Sequence, residues 1–308
     1  MKKGLKNFLI SSIIVLTLVI IVDFALGKTM QFMMPNTSNK TEIGKTYFSL
    51  NEVSTPVVIV GSSRAAHHYV TTSIEEKFNL EAYNVARDGC YFSYNCAVVN
   101  SILNRYSPQI IIWENDISSL YEKSNDPLES LYPYYKQNDY ITNLIESRSM
   151  CTDELKLISN LYKYNSIAHE IAMINILKSS FTDKTIKGYA PLAPKKNSTM
   201  KLELYENAKT KKLSTSKIEF FRNTLEEAKN KNVKVIVVDS PKYMLLNPDN
   251  QSAEMIKKIC NEYDATFINN TQLSIFLEHP EYFNDKTHLN RDGATIYTNI
   301  FIDQIVNN

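Results

Sequence analysis

The stretch that decides the fold is Val57-Val58-Ile59-Val60-Gly61-Ser62-Ser63-Arg64. Four consecutive β-branched apolar residues read as a strand buried on both faces, as in a parallel sheet. The run stops at Gly61, and two hydroxyl residues follow at once. In an open α/β sheet, ligands and chemistry gather beyond the carboxyl ends of the strands. A serine in that turn therefore points out of the sheet toward solvent. Gly-Ser-Ser is also an ordinary turn, so its meaning depends on the remaining chain.

Working outward, further strands are expected at Glu81–Val85, Gln109–Trp113, Val233–Val238 and Ala265–Ile268. Helical spacing predicts helices over Ser93–Tyr106, from Ser216, near Ala253–Tyr263 and from about Arg291. Thr72 or Ser73 with Glu75 or Glu76, and Ser216 with Glu219, have capping-box spacing. Five strands joined by helices imply a three-layer α/β/α domain with a mostly parallel, flavodoxin-like sheet. The alternation breaks over about 117–215. That region is rich in tyrosine (Tyr121, Tyr132, Tyr134, Tyr135, Tyr140), holds no good strand, and is clearest as helix near Glu154–Leu177. It reads as a helical insertion in a domain spanning 54–308.

The amino end differs in kind. Lys2, Lys3 and Lys6 precede an apolar run from Phe8 to Leu26 that only Asp23 interrupts. A run of this length reaches the lower limit for crossing a bilayer. The lysines place the amino end in the cytoplasm and the body of the chain outside. Residues 1–28 are read as a membrane anchor, with a cleaved signal segment as the alternative because Ala25 and Gly27 are small. Residues 29–53 are polar and read as a stalk. Across 308 residues, 34 basic and 33 acidic side chains nearly balance, giving no electrostatic case for a nucleic-acid partner. Cys90, Cys96, Cys151 and Cys260 show no paired spacing and no histidine cluster, so neither zinc nor a disulfide is required.

Four features fall just after strands or before the last helix: Ser63, Gly89, Asn115 and the pair Asp285/His288. In an open parallel sheet these positions share one edge. A serine hydroxyl becomes a nucleophile when a base removes its proton. His288 suits that role, and Asp285 three residues earlier can hold the other ring nitrogen and fix the tautomer. The backbone N–H groups of Ser63 and Gly89 and the amide of Asn115 would receive a developing oxyanion. Singly, each has a plainer reading: a turn glycine, a turn asparagine, a helix-start carboxylate, a capping histidine.

In this order the blocks Gly61-Ser62-Ser63, Asn84 to Gly89, Glu114-Asn115-Asp116 and Asp285-Lys286-Thr287-His288 resemble the SGNH (GDSL-type) hydrolases, over residues 54–116 and 216–308. Ser62 stands where the family commonly has aspartate, and Trp113 stands where it usually has glycine. The resemblance implies an acyl-serine esterase or O-acyltransferase, and membrane-anchored envelope members suggest acylated surface glycans as substrates. No cofactor or metal is implied. Arg64 and Arg87 are candidate contacts for a polyhydroxylated or anionic substrate, and His67 a candidate lining residue. An inactive scaffold of this fold, binding envelope glycan or a membrane partner, is the competing reading. A cysteine enzyme using Cys90 ranks last, because no base is assigned to it.

Overall fold

The computed structural model describes residues 2–122, 126–148, 151–179, 181, 184–194, 200–205, 212–246 and 249–306. The chain divides into two compact units, Met1–Tyr47 with Leu128–Thr182, and Phe48–Pro127 with Asp183–Asn308.

In the first unit, α1 (Lys2–Met33) is a single helix of 32 residues. At 1.5 Å per residue it is about 48 Å long, against about 30 Å for a bilayer's hydrocarbon. Its most apolar 18-residue window has a mean hydropathy of 2.7, and it is the one helix among the described residues long and apolar enough to cross a membrane. The expected stalk at 29–53 is instead mostly helical. α1 runs through Met33, a 3-10 turn occupies Met34–Thr37, and α2 covers Glu42–Asn51. The polar residues there close turns: Thr37 Oγ1 donates to the Met34 carbonyl at 2.7 Å and Gly44 N–H donates to Thr41 Oγ1 at 2.9 Å. Met34 and Ile43 are buried with Tyr164, Ile167 and Ile171. The long helix expected near Glu154–Leu177 is broken. A 3-10 turn (Tyr162–Tyr164) divides it, with separate helices on either side. Ser159 and Asn165 lie in the gap, and such side chains offer the backbone alternatives to helix; Tyr162 N–H donates to Ser159 Oγ at 2.9 Å.

The second unit holds β1 (Val57–Val60), α3 (Ser63–His68), α4 (Thr71–Phe78), β2 (Ala82–Asn84), α5 (Phe92–Arg105) and β3 (Ile110–Glu114). In the first unit α6 (Asp139–Glu146), α7 (Cys151–Lys156) and α8 (Ala168–Asn175) follow. The second unit then resumes with β4 (Leu204–Tyr205), α9 (Thr215–Asn230), β5 (Lys234–Asp239), β6 (Leu245–Leu246), α10 (Gln251–Glu262), β7 (Thr266–Asn269), α11 (Ser274–Leu277) and α12 (Arg291–Val306). The main sheet has the order β2-β1-β3-β5-β7 and is parallel throughout. The α/β expectation therefore holds, with the flavodoxin-like order, and β1 and β3 flank the point where the order reverses. β4 and β6 form a small separate parallel pair, so the stretch expected to lack strands contributes one of two residues.

Alternate strand residues feed two faces. Val57, Ile59, Ile112, Ile236 and Val238 pack in one core with Tyr69, Tyr297 and Phe301. On the other face Trp113 stacks on Phe92 (centroids 6.0 Å apart) and meets Phe221 edge-on at 5.4 Å. Trp113 is thus a core residue, fully buried. Two caps differ from expectation. α9 starts at Thr215, with Ser214 accepting from Lys217 N–H, because Ser214 N–H bonds the Leu120 carbonyl at 2.8 Å and fixes the chain's entry. α4 has Val70 at its cap, while Glu75 accepts from Ala82 N–H at 2.9 Å and pairs with Lys187 at 2.6 Å.

Candidate active site

The turn from β1 into α3 is tight. A Cβ on Gly61 would lie 2.6 Å from Ala65 Cβ and 2.9 Å from Glu114 Cβ, so only glycine fits between the turn and β3. Ser63 is the first residue of α3. Asn84 Nδ2, at the end of β2, donates to the Ala65 carbonyl at 2.7 Å and steadies that turn.

Ser63 Oγ lies 2.7 Å from His288 Nε2, across 225 residues of sequence. His288 Nδ1 lies 2.8 Å from Asp285 Oδ2 and 3.0 Å from Oδ1. Asp285 also shapes the turn that carries the histidine: its Oδ1 accepts from Thr287 N–H at 2.8 Å and His288 N–H at 3.0 Å. Burial raises the Asp285 carboxyl, but the hydrogen bonds from His288 and Thr287 outweigh it and hold it below the ordinary carboxylate range. An ionised Asp285 only accepts, so the imidazole proton sits on Nδ1 and leaves Nε2 to accept from the serine.

Beneath this triad lies a charged network that sequence reasoning missed as a unit. Arg64, expected to meet substrate, is 6 % exposed. Its guanidinium is committed to Asp239, to Glu114 (3.0 Å) and to Asp116 (3.4 Å). Lys242 Nζ bonds Asp116 at 2.8 Å and Asp239 at 3.2 Å. Burial is the largest influence on Glu114 and pushes its carboxyl up, against the pull of Arg64. A relay of hydrogen bonds links the network to the triad's loop. Leu289 N–H, next to His288, donates to His68 Nε2 at 2.9 Å; His68 Nδ1 lies 2.7 Å from Ser240 Oγ; and Ser240 Oγ donates to Glu114 Oε1 at 2.9 Å. His68 is fully buried, and burial, with Arg64 next, holds its pKa well below the usual histidine value. The available signal was positional: Glu114 and Asp239 each end a central strand, where apolar residues would be expected to continue.

Ser63 and His288 open on a cleft of about 390 Å³, which Arg64, Asn115, Thr287 and Lys217 also line. Among the described residues, the buried polar atoms in its wall that lack a hydrogen-bond partner include Asn115 Nδ2, Asn95 Oδ1 and Ser119 Oγ. Gly89 and Arg87 are not among the lining residues. Gly89 has φ +70° with open space around it, so its glycine serves the turn. His67 packs edge-on against His288, centroids 5.6 Å apart, and lies outside the lining set. Among the described residues no group of three or more histidine, cysteine or acidic side chains is arranged to hold a metal.

No protein-family model matches the chain, and no curated protein matches it. Among solved structures, the crystal structure of a "putative acylhydrolase" from Bacteroides fragilis NCTC 9343 is similar at 12% identity and a TM-score of 0.38, covering 82% of this chain and 86% of that one.

Proposed function

We propose that this chain is a serine-dependent acyl esterase or O-acyltransferase of the SGNH type. The observation that carries the reading is the continuous hydrogen-bonded series Ser63–His288–Asp285 at the mouth of a cleft whose wall holds an unpaired amide nitrogen, Asn115 Nδ2. His288 Nε2 takes the Ser63 proton as Oγ attacks the ester carbonyl. The tetrahedral oxyanion is received by Asn115 Nδ2 and the Ser63 N–H. Gly89, at φ +70° in the turn after β2, is the third donor that the resemblance implies. Collapse returns the proton from His288 to the leaving alcohol and leaves acyl-Ser63. Water then completes hydrolysis, or a sugar hydroxyl completes transfer.

The polar atoms in the cleft support an O-acylated glycan as substrate. Asn95 Oδ1 can only accept, and a carbohydrate hydroxyl is a matching donor. Phe92, Ile117 and Met244 give the cleft an apolar part that suits a small acyl group. Lys2, Lys3 and Lys6 before the apolar run support a cytoplasmic amino end, with the catalytic unit outside.

The deciding test is mass spectrometry of the full chain in detergent after a fluorophosphonate probe. A single adduct on Ser63, lost in Ser63→Ala and His288→Ala, is the expected result. A folded chain that takes no adduct would instead favour a glycan-binding scaffold.

A further inference from the structure

The apolar run of α1 carries one acidic residue, Asp23, and the first unit gathers around it. Asp23 Oδ2 accepts from Asn160 N–H at 2.8 Å, Oδ1 from Leu161 N–H at 3.3 Å, and Ser159 Oγ donates to Oδ1. One turn further along α1, a Cβ on Gly27 would fall 2.5 Å from Asn160 Cβ and 2.7 Å from its carbonyl carbon, so the loop lies directly against the helix. In the other direction Leu161 shares a groove of about 410 Å³ with Val15, Leu18, Val19, Val22 and Asp23. Val15 lies about 12 Å down the axis from Asp23.

We infer that the segment 155–161, the end of α7 and the loop after it, is immersed in the membrane beside the anchor, and that the occupant of its groove is a lipid acyl chain. The inference rests on reading α1 as a spanning helix. If α1 spans, the groove walls from Val15 to Val22 lie within the hydrocarbon, and Leu161, which completes the groove, lies there too. The segment's exposed apolar side chains match that depth: Leu155 and Ile158 are 61% and 72% exposed, and the exposed Lys156 between them has a stem long enough to carry its charge toward the headgroups. Its backbone chemistry matches as well. Non-helical backbone at membrane depth needs internal partners, and a carboxylate in a spanning helix needs donors; Asp23 and the N–H groups of 160 and 161 satisfy each other. The same contacts make α1 a structural part of the first unit.

The test uses the full chain in vesicles of equal parts phosphatidylcholine and phosphatidylglycerol. An environment-sensitive fluorophore is attached to Ile158→Cys, and for comparison to Asn230→Cys on α9, each in a Cys151→Ser background. The expected result is blue-shifted emission from position 158, lost when acyl-chain-doxylated lipid is included, and unaffected emission from position 230. Adding Asp23→Ala is expected to reduce the quenching at 158 while the chain stays in the vesicles. Chain that resists carbonate extraction yet shows no quenching at 158 overturns the inference alone. Chain that carbonate releases, or an intact mass lacking the first residues, overturns the anchor reading and the inference with it.

Discussion

Two contacts in series, Ser63 Oγ to His288 Nε2 at 2.7 Å and His288 Nδ1 to Asp285 Oδ2 at 2.8 Å, set the residue-scale expectations. Ser63→Ala should lower kcat on an activated aryl ester by on the order of 10⁴–10⁶. Asn115→Ala should lower kcat by on the order of 10²–10³ with KM nearly unchanged, because the proposed mechanism spends its unpaired amide on the oxyanion and not on the ground state. An equal loss in Asn115→Asp, which keeps size and removes the donor, would agree; full activity in either variant would remove Asn115 from the mechanism. Asp285 has a depressed pKa, so the stability it contributes is complete above the ordinary carboxylate value of about 4 and fades only as pH falls through the lower folded value. The downfield Nδ1 proton resonance of His288 should therefore persist in the folded protein at pH about 4 and be absent from Asp285→Asn. The thiols are a simpler case. Cys90, Cys96 and Cys260 are buried, and burial pushes Cys260 up to about 12, so none of the three should react with a thiol reagent before unfolding.

At the scale of elements, charge ties the carboxyl ends of β3 and β5 to α3, the helix that follows β1. Arg64→Ala would leave Glu114 and Asp239 buried without their cation, and should cost roughly 3–5 kcal/mol in urea unfolding. An Arg64→Ala protein as stable as its parent would mean that Lys242 alone balances the site. His68 joins α3 to the loop of His288. Its folded pKa is depressed, so the unfolded chain binds the extra proton: His68's contribution is present above about 6.5 and lost as pH falls below it. The urea midpoint should therefore fall between neutral pH and pH about 5, and the fall should be shallower in His68→Gln. Glu114, with its pKa raised, works in the opposite sense, so the difference between the two proteins, and not either slope alone, isolates His68.

For the whole molecule, the insertion is not a decoration of the α/β domain. Residues 128–182 form a compact unit with the amino-terminal segment, while the domain on either side closes into one sheet. Full-length chain expressed in a bacterial host should pellet with membranes and resist carbonate. Asp23→Ala should remain in the pellet, because the apolar run alone is sufficient to hold it there.

Much of this was legible in the chain itself. Val57–Val60 is a strand because β-branched residues without polar neighbours suit burial on both faces, and the same local signal marks Ile110–Glu114 and Lys234–Asp239. Ser63, Asp285 and His288 were readable because turn chemistry places them at element ends. What lay beyond reach depended on partners distant in sequence. Ser214, and not Ser216, caps α9 because Leu120 holds its backbone, 94 positions away. Arg64 is a buried counterion because three acids from two other strand ends meet it. The loop that carries Gly89 starts where Asn84 Oδ1 holds the Ala86 N–H at the end of β2. The polar stalk became turns and helix because Met34 and Ile43 found Tyr164 and Ile171 to pack against. Local sequence settles which segments can be strand, helix or anchor, since those preferences act over a few residues. Which buried charge meets which, and where a polar segment finds apolar cover, are settled only by tertiary structure, because the energies of burial and pairing exist only once distant segments touch.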